Sequence, residues 1–220
     1  MKLAFLLLLA FISAVHAESH KAKADPSMLP VEDVPGLPRV LLIGDSISIG
    51  YTVPVRESLK GKANVHRPPT NCSSSGNGLT HLKTWLGEKK WDVIHFNFGL
   101  HDAKLPPEGI RHATPEKYEA NLRQLVQQLR VTDAKLIFAT TTPVPNGGII
   151  SPTRRFGSVE EYNAVALRVM KESGVLINDL NTLITPHLAK VQKPNDVHYT
   201  SEGSAILGKQ VAEKIAEALK

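Results

Sequence analysis

Cysteine is almost absent from this 220-residue chain, where Cys72 stands alone. One cysteine excludes an intramolecular disulfide, so stability must come from a packed core, for which roughly 180 residues suffice. After residue 17 no apolar run approaches the roughly 20 residues needed to span a bilayer. No basic run interleaved with aromatics occurs either. The formal charge of +5 is spread along the chain, which gives a nucleic acid no stripe to bind. His66, His81, His112 and His187 lack the spacing of zinc ligands. Internal repeats and a lid-like amphipathic helix of the kind that docks on lipid are also missing.

What is present begins with a leader. Lys2, the apolar run Leu3 to Val15 and the ending Val15-His16-Ala17 describe a secretory signal peptide over residues 1–17. It predicts a secreted or periplasmic protein without stable membrane insertion. Residues 18–38 are polar and carry prolines at 26, 30 and 35, as expected of a tether or an arm laid over the domain surface. One domain is expected over residues 39–220.

That domain alternates between two periodicities. Short β-rich runs occur at Val40–Ile43, Ala63–His66, Val93–Phe98, Leu136–Thr140 and Val175–Ile177. Leu79, Leu82, Trp85 and Leu86 have the spacing of a buried helical face, as do Tyr118, Leu122, Leu125, Val126 and Leu129 after Thr114-Pro115-Glu116. Further helices are expected at Tyr51–Leu59, with Pro54 in the opening turn, at Val159–Lys171 and at Ala205–Leu219. Strands spaced by helices predict an α/β fold, a parallel sheet covered on both faces.

Ligands of such sheets bind at the carboxyl ends of the strands. Gly44-Asp45-Ser46 follows the first expected strand, RPPTNCSSSGNG the second and Gly99-Leu100-His101-Asp102 the third. A long segment over 143–157 follows the fourth, and Asn195-Asp196-Val197-His198 precedes the last helix. Serine, histidine and carboxylate therefore converge on one edge. A serine nucleophile needs a base, a carboxylate to orient that base, and donors for the oxyanion. Ser46 is the candidate nucleophile, although in isolation Gly44-Asp45-Ser46 reads equally as a turn with a helix cap. His198 is the candidate base and Asp196 the nearest carboxylate. Cys72 reads as a small packing residue, because nothing beside it marks an activated thiol.

GDSISIG at 44–50, GLHD at 99–102 and NDVHYTSEG at 195–203 resemble, in order and spacing, the blocks of the SGNH hydrolases, the GDSL-type esterases and lipases. The resemblance covers nearly the whole domain. It implies a flavodoxin-like three-layer αβα sandwich with a five-stranded parallel sheet, a serine nucleophile at Ser46, a histidine base at His198, and no metal or organic cofactor. It also implies ester hydrolysis, of acylated sugars, lipids or thioesters, and the missing lid leans toward a small-molecule or acylated carbohydrate substrate.

Two positions depart from the family pattern. His101 stands where the family has an asparagine that donates to the oxyanion, and a neutral imidazole still offers one N–H. Asn195 stands where the family has its acid, so Asp196 is expected to orient His198 from a register shifted by one residue, with Asp179 and Glu202 as substitutes. The oxyanion hole is expected to use the N–H of Ser46, His101, and a second-block donor at Gly76 or, three residues earlier, Ser73. Arg154-Arg155 reads as a solvated pair that can alternatively contact a uronate or phosphate. The expected activity is that of an exported acetylesterase acting on carbohydrate. A lysophospholipase or thioesterase, an acyltransferase and a catalytically impaired carbohydrate-binding domain are the alternatives.

Overall fold

The computed structural model describes residues 24–106, 112–152 and 154–220, so the expected leader at 1–17 lies outside the described residues. Strand β1 (Arg39–Ile43) is the middle of the hydrophobic run that opens the domain. Its side chains alternate: Val40 and Leu42 enter one apolar cluster, Leu41 and Ile43 the other. A strand buried on both faces reads as a continuous apolar run for this reason. Strands β2 (Asn64–His66), β3 (Val93–Phe96), β5 (Lys135–Ala139) and β8 (Leu176–Asn178) join it. The five form one sheet in the order β2-β1-β3-β5-β8, every pairing parallel.

Helices α1 (Ser46–Ser58) and α7 (Ser201–Ala218) cover one face, and α2 (Ser75–Leu86), α3 (Pro115–Arg130) and α4 (Val159–Glu172) cover the other. This is the three-layer αβα sandwich with a five-stranded parallel sheet expected from the resemblance. Short helices α5 (Leu180–Ile184) and α6 (Leu188–Val191) lead into α7. Among the described residues no helix is long and apolar enough to cross a membrane.

Two features differ from the sequence expectation. Helix α1 starts at Ser46, five residues before Tyr51, so Pro54 lies inside the helix rather than in its opening turn. The proline ring is accommodated at the crossing with α7, where Gly208 faces it. A Cβ on Gly208 would stand 2.6 Å from Pro54 Cβ and 3.2 Å from the Tyr51 carbonyl oxygen. Neither the ring nor the backbone can yield easily. Gly208→Ala is therefore expected to overpack this crossing and lower Tm by roughly 3–10 °C. Thermal unfolding followed by circular dichroism checks this, and an unchanged Tm would show that the helices separate freely.

The second difference is a small antiparallel sheet where a long loop was expected. Strands β6 (Ile149–Ser151) and β7 (Arg154–Phe156) lie within the 143–157 segment, and β7 pairs with β4 (Lys104–Leu105). Lys104 is opposite Phe156 and Leu105 opposite Arg155.

The described part of the arm lies on the domain. The Arg56 guanidinium donates to the carbonyls of Pro26 (2.8 Å) and Leu29 (3.2 Å). Asn64, on the sheet-edge strand β2, accepts from the Val34 N–H at 2.9 Å and donates to the carbonyls of Val34 and Leu37. Asp33 meets Arg39, His66 and Lys89. The arm thus covers an edge that would otherwise be open to further strand pairing.

Candidate active site

The site is built where β1 ends. A Cβ on Gly44 would come within 2.7 Å of Ser48 Cβ, so only glycine lets the chain turn this tightly from strand into helix. Asp45 is the helix cap, and its side chain accepts from the Ile47 N–H at 2.9 Å. Ser46 is therefore the first helical residue, and its hydroxyl is released from the capping role that the local sequence also allowed. Burial pushes the Asp45 carboxyl up, although its bonds to backbone N–H groups and the imidazoles of His101 and His198 act the other way.

The Ser46 hydroxyl lies 2.8 Å from His198 Nε2, and His198 Nδ1 lies 2.8 Å from Asp196 Oδ1. Residues 152 positions apart thus meet in one line of hydrogen bonds. Asp196 Oδ1 also accepts from its neighbour's N–H, Val197, at 2.8 Å and from Arg154 Nη2 at 3.4 Å. Burial opposes ionisation of Asp196, but the bonds and charges of His198, Val197 and Arg154 outweigh it and hold the carboxyl below its ordinary range.

The backbone explains the shifted register. Lys193 to Asp196 is a turn closed by the Asp196 N–H donating to the Lys193 carbonyl at 3.2 Å, with Pro194 and Asn195 in its two central positions. Asn195 has φ +50°, the left-handed conformation that asparagine tolerates after a turn proline. Its side chain points outward and accepts from Asn146 Nδ2 at 2.8 Å on the exposed surface. Asp179 caps α5 and bonds Thr140 and Thr182, and Glu202 pairs with Lys190. Neither reaches His198.

His101 and Ser73 are also joined, with Ser73 Oγ 3.1 Å from His101 Nδ1. Burial lowers the His101 pKa, the charges of Lys104, His112 and His198 lower it further, and only Asp45 opposes them. These influences favour the neutral ring. Ser73 has φ +57°, a backbone conformation that favours glycine, and its N–H is taken by Asn71 Oδ1 at 2.9 Å. Gly76 stands elsewhere: it is exposed in the first turn of α2 and does not line the pocket that holds Ser46. Asp102 serves that helix too, accepting from the Ser75 N–H and hydroxyl, so it is not the partner of His101.

Beneath the site lies Arg67, a residue that the sequence pattern did not single out. Its guanidinium is buried and, among the described residues, bonds no carboxylate. It donates instead to Ser48 Oγ, Thr52 Oγ1 and the carbonyls of Gly44, Pro68 and Thr70. It ties the β1–α1 turn to the loop after β2. Cys72 is packed in the same loop with its N–H on the Gly44 carbonyl at 3.2 Å, and burial pushes its thiol up to about 11. That fits a packing residue.

Ser46 and His198 open into a pocket of about 260 Å³, which Asn71, Leu100, His101 and Val197 line from the loops around the five-stranded sheet. Lys104, Arg154 and Phe156 line it from the small sheet. Arg154 is thus part of the pocket while Arg155, its strand neighbour, is exposed. Alternation along a strand divides the pair that the sequence presented as one feature. Among the described residues no group of three or more His, Cys, Asp or Glu side chains is arranged to hold a metal ion.

Residues 42–206 match the GDSL-like Lipase/Acylhydrolase family. The chain belongs to that family. A family relative is an arylesterase from Vibrio mimicus, 23% identical over 121 residues that make up 50% of this chain and 58% of the relative. The match therefore spans less than two thirds of that relative's length. Among solved structures, a lipase/acylhydrolase from Enterococcus faecalis superposes with a TM-score of 0.69 at 22% identity, covering 82% of this chain and 96% of the other. A catalytic mutant of an acetylxylan esterase from Geobacillus stearothermophilus gives 0.67 at 19% identity, with 81% and 94% covered. At these identities the two structures report the shared GDSL-family fold.

Proposed function

We propose that this protein is a serine ester hydrolase that cleaves small acyl groups, acetyl above all, from a carbohydrate alcohol. The observation that carries the reading is the line Ser46–His198–Asp196, with both contacts at 2.8 Å, at the start of α1 and open to the pocket. In this reading His198 Nε2 takes the Ser46 proton as Oγ attacks the ester carbonyl. Asp196 accepts the Nδ1 proton's hydrogen bond and stabilises the imidazolium that forms. The tetrahedral oxyanion lies at the helix start, where the Ser46 N–H and the helix dipole favour negative charge. If the Ser73 hydroxyl donates to His101 Nδ1, the neutral ring keeps its proton on Nε2 and supplies a further donor. Collapse of the intermediate breaks the C–O bond, and the leaving alkoxide takes the proton from His198. Water, deprotonated by the same imidazole, then releases the acid and restores Ser46.

Pocket size supports the short acyl group. About 260 Å³ lies just under the roughly 300–1,000 Å³ of drug-sized ligand sites. The acetylxylan esterase among the structural neighbours supports carbohydrate as the alcohol. The leader-like residues 1–17 support export.

Two measurements test the reading together. A fluorophosphonate should add one phosphonyl group at Ser46, located by peptide mass, and block hydrolysis of 4-nitrophenyl acetate. Turnover of 4-nitrophenyl esters should fall steeply beyond four acyl carbons. Labelling elsewhere, with acetate hydrolysis intact, would overturn the mechanism, and a preference for octanoate over acetate would move the protein to the long-chain acyl hydrolases.

A further inference from the structure

The reading above leaves the alcohol undefined beyond its class, and the small sheet bears on it. Lys104 and Phe156 are direct partners across the antiparallel β4–β7 pairing, and Arg154 lies two residues from Phe156 on the same strand. Cross-strand partners and residues two apart share one face of a sheet. That face carries Lys104, Phe156 and Arg154, and all three line the pocket with Ser46 and His198. The opposite face carries Leu105 and Arg155.

Among the described residues both cations are left largely uncommitted. The Lys104 ammonium makes no hydrogen bond or ion pair among the described residues. Its charge nevertheless reaches into the pocket, being one of the influences that lower the His101 pKa. Arg154 spends one nitrogen on a long contact, 3.4 Å, to Asp196 Oδ1, an oxygen that already accepts two shorter bonds. Its side chain is 41% exposed. Among the described residues the nearby carboxyls are committed elsewhere. Asp45 is buried behind the helix start, and Asp196 is engaged by His198; among the described residues no acidic side chain lines the pocket.

We infer that Lys104 and Arg154 form an anion subsite, and that the physiological ester is one whose alcohol carries a carboxylate, as an acetylated acidic sugar does. Because the acyl group is short in the proposed function, on which this inference rests, the carboxylate belongs to the alcohol. A guanidinium can hold a carboxylate through two parallel N–H bonds, and the ammonium adds a second point charge. Phe156 between them supplies an apolar surface for the ring that bears it.

The test compares two esters that differ by one charge, 4-acetoxybenzoate and its methyl ester. Their kcat/KM values are measured for the wild type, Lys104→Gln, Arg154→Gln, the double variant and Lys104→Glu. Dividing the wild-type ratio of the two esters by the variant ratio cancels their intrinsic reactivities. It also cancels any effect of Arg154 on Asp196, which acts on both substrates alike. The preference for the charged ester should fall about tenfold in the double variant, the effect of two partly screened charges. Lys104→Glu should lower it further. In the wild type it should shrink as salt rises to about 0.5 M. Hydrolysis of the methyl ester by every form, with the ratio unchanged across the variants, would overturn the anion subsite and leave the esterase intact. Hydrolysis of neither ester by the wild type would overturn both.

Discussion

Ser46→Ala should lower kcat for a short acyl ester by about a million-fold, and His198→Ala by a similar amount. The two losses should not multiply. Without the Ser46 oxygen the imidazole has no proton to take, and without His198 Nε2, 2.8 Å away, the hydroxyl has no base. The double variant should therefore be about as slow as either single one, retaining the roughly 10³–10⁴-fold advantage over water that binding and oxyanion donors supply in comparable sites. Stability separates a chemical loss from a structural one. Asp45, not Ser46, caps α1, so alanine at the first helical position leaves the cap bond to Ile47 in place. Tm of Ser46→Ala should stay within about 2 °C of the wild type. Steady-state kinetics and thermal unfolding of the three variants decide it. A Ser46→Ala protein that turns over within tenfold of the wild type would return the Gly44-Asp45-Ser46 stretch to an ordinary turn.

Asp196→Asn should reduce kcat by about 10⁴, while Asn195→Ala changes it less than about threefold. The carboxylate accepts the hydrogen of His198 Nδ1 at 2.8 Å. An amide in its place can present its NH₂ group, which favours the proton on Nε2 and removes the lone pair that must take the Ser46 proton. Asn195 has no such connection, since its side chain meets Asn146 on the exposed surface. The decisive variant moves the acid back by one residue, as Asn195→Asp with Asp196→Asn. The Lys193–Asp196 turn still directs residue 195 outward, so this double variant should be as impaired as Asp196→Asn alone. Recovery to within tenfold of the wild type would mean that the turn rebuilds itself around the acid. The register shift would then carry no structural requirement.

Tolerance of the shift follows from what a base needs. A carboxylate oxygen must lie near Nδ1 with the ring held in place, and which backbone position supplies it is immaterial. His198, with a smaller contribution from Arg154, holds the Asp196 carboxyl below its ordinary range, and Arg67 braces the turn that carries Ser46 against the loop that carries Ser73. The residue exchanged for asparagine at 101 is matched by a hydroxyl at 73 that addresses its Nδ1. Each departure from the family pattern is accompanied by a local partner.

Periodicity was legible in the sequence because it is a local property. Val40 to Ile43 had to be a strand buried on both faces, and Leu122, Leu125, Val126 and Leu129 had to share a helical face, whatever lay around them. The alternation of such segments determined the three-layer sandwich, and the carboxyl-end rule brought Ser46, His101 and His198 to one edge. Side-chain direction inside loops was not legible, because it depends on dihedrals and on partners far along the chain. Only the fold decided that Asn195 adopts φ +50° and turns toward Asn146, 49 residues away, leaving Asp196 to face the imidazole. The same holds for α1, whose interior Pro54 is tolerated against Gly208, and for Arg154, directed at the pocket by the pairing of β7 with β4. Local pattern specifies which segments form and which faces are apolar. Contacts between residues tens to more than a hundred positions apart form only when those faces close on one another, and the chemistry of this site consists of such contacts.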